Sequence, residues 1–76
     1  MQHRMERQVE QDRADDAGRY LALLGDRVRG ARARRGMTRK ILSAESGVSE
    51  RYLAQLESGR GNVSIILLRQ IAAAMH

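Results

Sequence analysis

The side chains best suited to a chemical role lie on one short predicted helix in the second half of the chain. That helix buries Leu53 and Leu56 at helical spacing. Its other faces carry the long polar side chains of Glu50, Arg51 and Gln55. In a DNA major groove, arginine pairs with the acceptors of guanine, glutamine pairs with adenine, and a carboxylate accepts from the amino group of cytosine. The pattern therefore predicts base reading by these residues, although an acid at position 50 also stabilises the helix dipole without a ligand.

Two cations stand at the start of the preceding helix, where the helix dipole favours anions. This helix begins Thr38-Arg39-Lys40 and has no acid in its first turn. Free backbone N–H groups together with the two cations would bind a phosphate. The alternative is two solvated side chains without a ligand. Tyr52 also has two interpretations, as a partial core residue and as a phosphate donor.

An internal ion pair is predicted between Arg32 and Glu57. Arg32 lies near the buried stripe of the first predicted helix, and Glu57 lies at the end of the helix with the polar face. Charged residues this close to a buried face need a partner, because an unpaired buried charge is costly. The pair would join the two helices and would have a structural role.

No set of residues has the spacing of a catalytic, cofactor or metal site. His3 and His76 lie at opposite ends of the chain, and there is no cysteine. The segment Gly59-Arg60-Gly61 lacks the P-loop pattern that cradles nucleotide phosphates. We therefore expect no enzyme activity, no cofactor and no bound metal.

The elements that position these residues are all predicted to be helices. The chain has no proline and is rich in strong helix formers. Apolar residues at helical spacing predict four helices, over residues 20–35, 39–46 and 50–58 and from a cap at Ser64 or Asn62 to Met75. The fourth is expected to bury one apolar face, made of Ile65, Leu68, Ile71, Ala72 and Met75.

A tight turn joins the second and third predicted helices. Gly47 supplies the positive φ that ends the second helix, Val48 is expected to be buried, and Ser49 caps the third helix. Two short helices joined in this way, with a polar face on the second, fit the DNA major groove.

Charge divides the chain into two parts. Residues 1–19 hold four arginines against five acids, and the remainder holds ten Lys and Arg against four acids, a net charge of +6. A basic surface suits phosphate binding, but a merely solvated surface explains the charge equally well. We expect residues 1–17 to be a mobile or weakly helical arm and residues 18–76 to be the folded domain. Without an apolar span or a signal peptide, a cytoplasmic location is expected.

At these residues the chain resembles the lambda-repressor-like helix-turn-helix family, also called the XRE or Cro-type family. The resemblance covers Leu24 to Ala72, with glycines, caps and apolar positions in register. It implies an all-α bundle of four to five helices that binds double-stranded DNA as a homodimer, on a near-palindromic operator and as a repressor. The segment from Arg34 to Ala72 is also similar to regulators of aromatic catabolism that respond to benzoyl-CoA through a shikimate-kinase-like domain.

The resemblance also assigns roles to individual residues. Ser49 and Asn62 match phosphate-contacting positions of the family, and Arg32 and Glu57 match its helix-bridging ion pair. The base-reading residues named above match its base-reading positions. The complete predicted phosphate-binding set is Arg39, Lys40, Ser49, Tyr52, Arg60 and Asn62.

Three departures from the family pattern have consequences. Arg39 replaces the usual glutamine at the start of the second helix, which alters the contact expected there. Val63 replaces the usual proline, which makes the loop before the fourth helix less rigid. Members of the family continue into a fifth helix, so we expect this chain to be the N-terminal piece of a longer regulator.

A second class of function is open at this point. The same fold serves as a protein-interaction module in antitoxins and adaptors, and Ile66 and Leu67 lie beside the core stripe of the fourth helix, where they would form an apolar contact surface. Dimerisation or a fifth helix would cover the same residues. RNA binding has less support, because the chain lacks aromatic stacking platforms.

Overall fold

A computed structural model describes the backbone of residues 2–76 and the side chains of residues 13 and 15–76. The described residues form four α-helices and no strand: α1 (Gln2–Arg34), α2 (Arg39–Ser46), α3 (Glu50–Glu57) and α4 (Ile65–Met75). The all-α fold is confirmed, as are the bounds predicted for α2 and α4, while α3 ends one residue earlier than predicted, with Ser58 as its C-cap. The fold therefore contains the pair of short helices that the sequence predicted.

The first helix differs from its prediction, because it begins at Gln2 and not near residue 20. Its backbone is therefore helical through most of the segment that was predicted as a mobile or weakly helical arm. Most side chains of residues 1–17 lie outside the described residues. The division into an arm over residues 1–17 and a domain over residues 18–76 stays a prediction.

Each of the three shorter helices begins with a hydroxyl N-cap, which satisfies one free N–H of the first turn. The cap of α4 is Ser64, so the alternative cap at Asn62 is wrong. Each cap oxygen accepts the N–H three residues later: Thr38 from Ile41 at 3.1 Å, Ser49 from Tyr52 at 3.1 Å and Ser64 from Leu67 at 3.3 Å.

The end of α3 is closed by a Schellman motif. The Arg60 N–H donates to the Gln55 carbonyl at 2.9 Å, and the Gly59 N–H donates to the Leu56 carbonyl at 3.0 Å. Gly59 has a φ of 73°, a left-handed conformation that favours glycine. The motif fixes the direction in which the chain leaves α3 and enters the loop before α4.

The core lies where all four helices meet. Its buried residues come from every helix and from the turn after α2: Val28, Leu42, Val48, Leu53, Leu56, Ile71 and Met75. Leu42, Leu53 and Ile71 have no exposed surface. This small aliphatic core holds α2 and α3 in a fixed relative orientation.

The predicted apolar face of α4 is partly wrong. Ile71 and Met75 are buried as expected, but Ile65 is 81% exposed and Ala72 is exposed. Ile65 lies six residues before Ile71, which places it about 120° away around the helix. Leu67, which the sequence placed beside the stripe, packs against the core.

Arg35 joins the ends of α1 and α4. Its Nε donates to the Met75 carbonyl, and its Nη2 donates to the His76 carbonyl at 3.1 Å. The last carbonyls of a helix have no partner within the helix, so a cation there satisfies them and offsets the negative end of the dipole.

Candidate nucleic-acid interface

The outer face of α3 carries the predicted base-reading residues. Glu50, Arg51 and Gln55 are all exposed. On the opposite side, Leu53 has no exposed surface and Leu56 has 3%. The apolar anchors therefore fix the rotation of α3 about its axis and turn the three polar side chains outward together.

The turn between α2 and α3 has the geometry that the sequence predicted. Gly47 has a φ of 75°, and its N–H donates to the Ser43 carbonyl at 3.0 Å. Val48 is 2% exposed, and its N–H donates to Ser46 Oγ at 3.1 Å. The buried side chain of Val48 and the two hydrogen-bonded N–H groups, of Gly47 and of Val48 itself, fix the path of this turn and with it the relative positions of the N-termini of α2 and α3.

The two cations at the start of α2 are both exposed. Thr38 caps the helix, and its first turn contains no acid. However, the Nε of Arg39 lies 4.0 Å from Oε1 of Glu57, at the end of α3. The prediction that the first turn of α2 holds no acid is confirmed, and an acid from another helix nevertheless faces Arg39. This contact was missed in the sequence analysis, because Glu57 was paired with Arg32 there and Arg39 was treated only as a cation at a helix start.

Glu57 and Arg32 form a buried ion pair with two hydrogen bonds. Arg32 Nε donates to Oε2 and Nη2 donates to Oε1, each at 2.8 Å, and Nη1 donates to the Met37 carbonyl at 2.8 Å. The side chains are 15% and 5% exposed. Hydrogen bonding to the Glu57 carboxylate raises the pKa of Arg32 above its ordinary value, while burial acts in the opposite direction. The pair thus occupies the positions that the sequence analysis paired, and it joins α1 to α3.

Tyr52 bridges α3 and the start of α4. Its hydroxyl accepts the N–H of Ser64 at 2.9 Å, and its ring is half-buried against the core. The first of its two interpretations, a partial core residue, therefore describes its position. The bond to Ser64 uses the hydroxyl as an acceptor, so the hydroxyl proton is not used there, and the phosphate role stays a prediction.

The loop after α3 lies beside the base-reading face. Arg60 and Asn62 are exposed. A Cβ at Gly61 would lie 3.5 Å from Oε1 of Gln55, so the loop approaches the side chain of that residue. The predicted phosphate contacts are therefore placed on three segments: the start of α2, the start of α3 and the loop after α3.

Two other features, a metal-binding cluster and a membrane-spanning helix, are absent from the part of the chain that the structure describes. There, no group of three or more His, Asp or Glu side chains is arranged to hold a metal ion. None of the helices in that part combines the length and apolar character that crossing a bilayer requires.

The capped α2, the rigid turn and the outward polar face of α3 define a DNA-binding protein of the helix-turn-helix class. The helix-turn-helix family HTH_3 matches residues 28–76, and the chain belongs to this family. The resemblance to the lambda-repressor-like family is confirmed at this level.

Two similar proteins support the assignment. The chain is 38% identical over 53 residues to an uncharacterised HTH-type transcriptional regulator, y4dJ, of Sinorhizobium fredii, and the match covers 70% of this chain and 69% of that protein. It is also similar to the crystal structure of the restriction-modification controller protein C.AhdI from Aeromonas hydrophila. That match has a TM-score of 0.70 and 31% identity, and it covers 72% of this chain and 83% of the controller.

Proposed function

We propose that this chain reads specific sequences of double-stranded DNA through α3 and acts as a transcriptional repressor. The observation that carries the proposal is the division of α3 into two faces. Leu53 and Leu56 are buried on one side, while Glu50, Arg51 and Gln55 are exposed on the other. A helix anchored in this way can enter the major groove with its polar side chains facing base edges.

The proposed contacts divide into two groups. Base reading belongs to the three exposed residues of α3, and each good contact discriminates against a wrong base by about 1–3 kcal/mol. Positioning on the DNA backbone belongs to the phosphate-binding set: Arg39, Lys40, Ser49, Tyr52, Arg60 and Asn62. The exposure of both cations at the start of α2 supports this division.

We propose that the protein binds as a homodimer on a near-palindromic operator. Two recognition helices would then lie about 34 Å apart, one helical turn of DNA. The names of the similar proteins, a transcriptional regulator and a restriction-modification controller, support a regulatory role. We propose that the protein acts by binding DNA and not as an enzyme. Its proposed location is the cytoplasm.

Regulation by an effector has only the sequence resemblance as support. On that basis we propose that the regulator belongs to aromatic catabolism and responds to benzoyl-CoA. The effector would bind outside residues 1–76, so benzoyl-CoA should leave the DNA affinity of this chain unchanged and should alter that of a longer protein containing it.

The experiment that tests the DNA-binding proposal is selection of bound duplexes from a random pool. We expect an enriched palindrome whose half-sites are about one helical turn apart. Arg51→Ala should then lower the ratio of specific to random binding, while Arg39→Ala should weaken binding to every duplex alike. Equal losses on specific and random DNA for both variants would show that the base-reading assignment is wrong.

A second candidate function, an antitoxin-like or adaptor module, is supported by one surface of α4. Ile65 and Ile66 are 81% and 72% exposed, and they lie next to each other at the start of the helix. Contiguous exposed apolar surface is a mark of protein interaction sites. This function would be favoured if the protein retained no DNA at low salt but bound a protein partner, and if Ile66→Glu abolished that partner's binding.

A further inference from the structure

One carboxylate in this structure faces two arginines. Oε1 and Oε2 of Glu57 accept hydrogen bonds from Arg32 at 2.8 Å, and Oε1 also lies 4.0 Å from Nε of Arg39. The Glu57 side chain is only 5% exposed. Because water screens a buried charge weakly, this carboxylate acts on both guanidinium groups more strongly than a surface acid would.

The two arginines have different surroundings. Arg32 is 15% exposed, and all three of its nitrogens donate to Glu57 or to the Met37 carbonyl. It therefore has little capacity to bind anything else. Arg39 is 48% exposed, and Nε is the guanidinium nitrogen that approaches the carboxylate. One arginine fixes the carboxylate, and the other is held beside it at the surface.

We propose that Glu57 is a positioning residue for DNA binding. Fixed by Arg32, its carboxylate holds the Nε side of Arg39 so that the two terminal nitrogens meet a DNA phosphate at the start of α2. This inference rests on the proposed DNA-binding function. It explains why an arginine occupies a helix start that disfavours cations, since the carboxylate of α3 offsets the unfavourable interaction before DNA arrives.

The proposal predicts a change in DNA affinity opposite to the one expected from net charge. Glu57→Gln removes one negative charge, so on charge alone DNA should bind more tightly. If Glu57 positions Arg39, the same substitution weakens binding, because Arg39 loses the geometry that a bidentate phosphate contact requires.

The test is a double-mutant cycle on the duplex that is enriched from the random pool, with dissociation constants measured for four proteins. Arg39→Gln should weaken binding by at least about tenfold in the wild-type background, because it removes a bidentate, charge-assisted phosphate contact. In the Glu57→Gln background the same change should cost less than about twofold. Lys40→Gln is the matched control, because it removes a neighbouring charge that has no ion pair with Glu57 among the described residues, so its effect should be equal in both backgrounds.

Glu57→Gln can also unfold the domain, so circular dichroism first establishes that each protein is helical. If the variant does not fold, Arg39→Lys replaces it, since this change keeps the charge of a half-exposed residue but removes the guanidinium. The proposal expects Arg39→Lys to weaken binding nearly as much as Arg39→Gln, and wild-type affinity would overturn it. Equal Arg39→Gln effects in both backgrounds, or tighter binding by Glu57→Gln, would also overturn it. If no duplex is enriched by the wild-type protein, the proposed function itself is wrong and this inference fails with it.

Discussion

Gly25 of α1 lies directly against the backbone of Glu57 at the end of α3. A Cβ at Gly25 would be 2.8 Å from the Glu57 carbonyl oxygen and 3.0 Å from its carbonyl carbon, and it would be closer still to the Leu56 carbonyl oxygen. The two helices therefore approach to backbone contact at this point. Arg32 lies seven residues later, on the same face of α1, so the close approach also brings Arg32 to the Glu57 carboxylate.

The first prediction concerns this contact. Gly25→Ala should destabilise the domain by about 3 kcal/mol, because the added methyl group meets rigid carbonyl groups and the helices must separate. The free energy of unfolding in urea measures the change. Gly18→Ala is the matched control, since Gly18 is an exposed residue of α1 with nothing within 4 Å of an added Cβ. That change should stabilise the protein by about 0.5–1 kcal/mol, and similar stabilities for both variants would contradict the packing described.

The second prediction concerns the ion pair between Arg32 and Glu57. Replacing either residue with alanine should cost about 3–5 kcal/mol, because the remaining charge stays buried without its partner. The double variant should be less destabilised than the sum of the single ones. The comparison pair is Asp26 and Arg29, which are 2.6 Å apart but 63% and 58% exposed. Removal of this exposed pair should cost at most about 0.5 kcal/mol. A coupling energy near zero between Arg32 and Glu57 would contradict the structural role of the buried pair.

Local chemistry made most of the helical framework predictable. Caps such as Thr38 and Ser49, and the left-handed Gly47, act within a few residues along the chain, so their signals are complete in the sequence. The two faces of α3 were predictable for a similar reason, because Leu53 and Leu56 recur at helical spacing and are both buried.

Contacts between helices were much less predictable. Residue spacing identified Arg32 and Glu57 as charges that need partners, but nothing local indicated that Arg39 approaches the same carboxylate. The exposure of Ile65 was missed because an apolar residue at the edge of the apolar stripe of α4 can belong either to the buried face or to the exposed face. The orientation of each helix in the packed core decides such cases, and the spacing of residues along one helix does not reveal that orientation.

The third prediction separates the two roles of Tyr52. Tyr52→Phe leaves the Ser64 N–H without its acceptor, which should lower the free energy of unfolding by about 1 kcal/mol. If the hydroxyl also donates to a phosphate, the affinity for all duplexes should fall alike. Tyr20→Phe is the control, since Tyr20 is 68% exposed and the change should leave stability within about 0.5 kcal/mol of wild type. If the folded Tyr52→Phe protein bound DNA with unchanged affinity, the phosphate contact would be wrong and the role of Tyr52 would be structural only.

The fourth prediction concerns the salt dependence of DNA binding. A protein that neutralises phosphates releases counterions, so the logarithm of its binding constant falls linearly with the logarithm of salt concentration, by about 0.9 per phosphate. Lys40→Gln and Arg60→Gln should each reduce this slope by about 0.9 on any duplex, because both side chains are exposed on the proposed phosphate-binding segments. Arg69→Gln removes the same charge from an exposed position of α4 that is outside the phosphate-binding set, so its slope should match that of wild type. If all three variants changed the slope equally, the salt dependence of binding would reflect only the net charge of the protein. The assignment of phosphate contacts to the start of α2 and the loop after α3 would then be wrong.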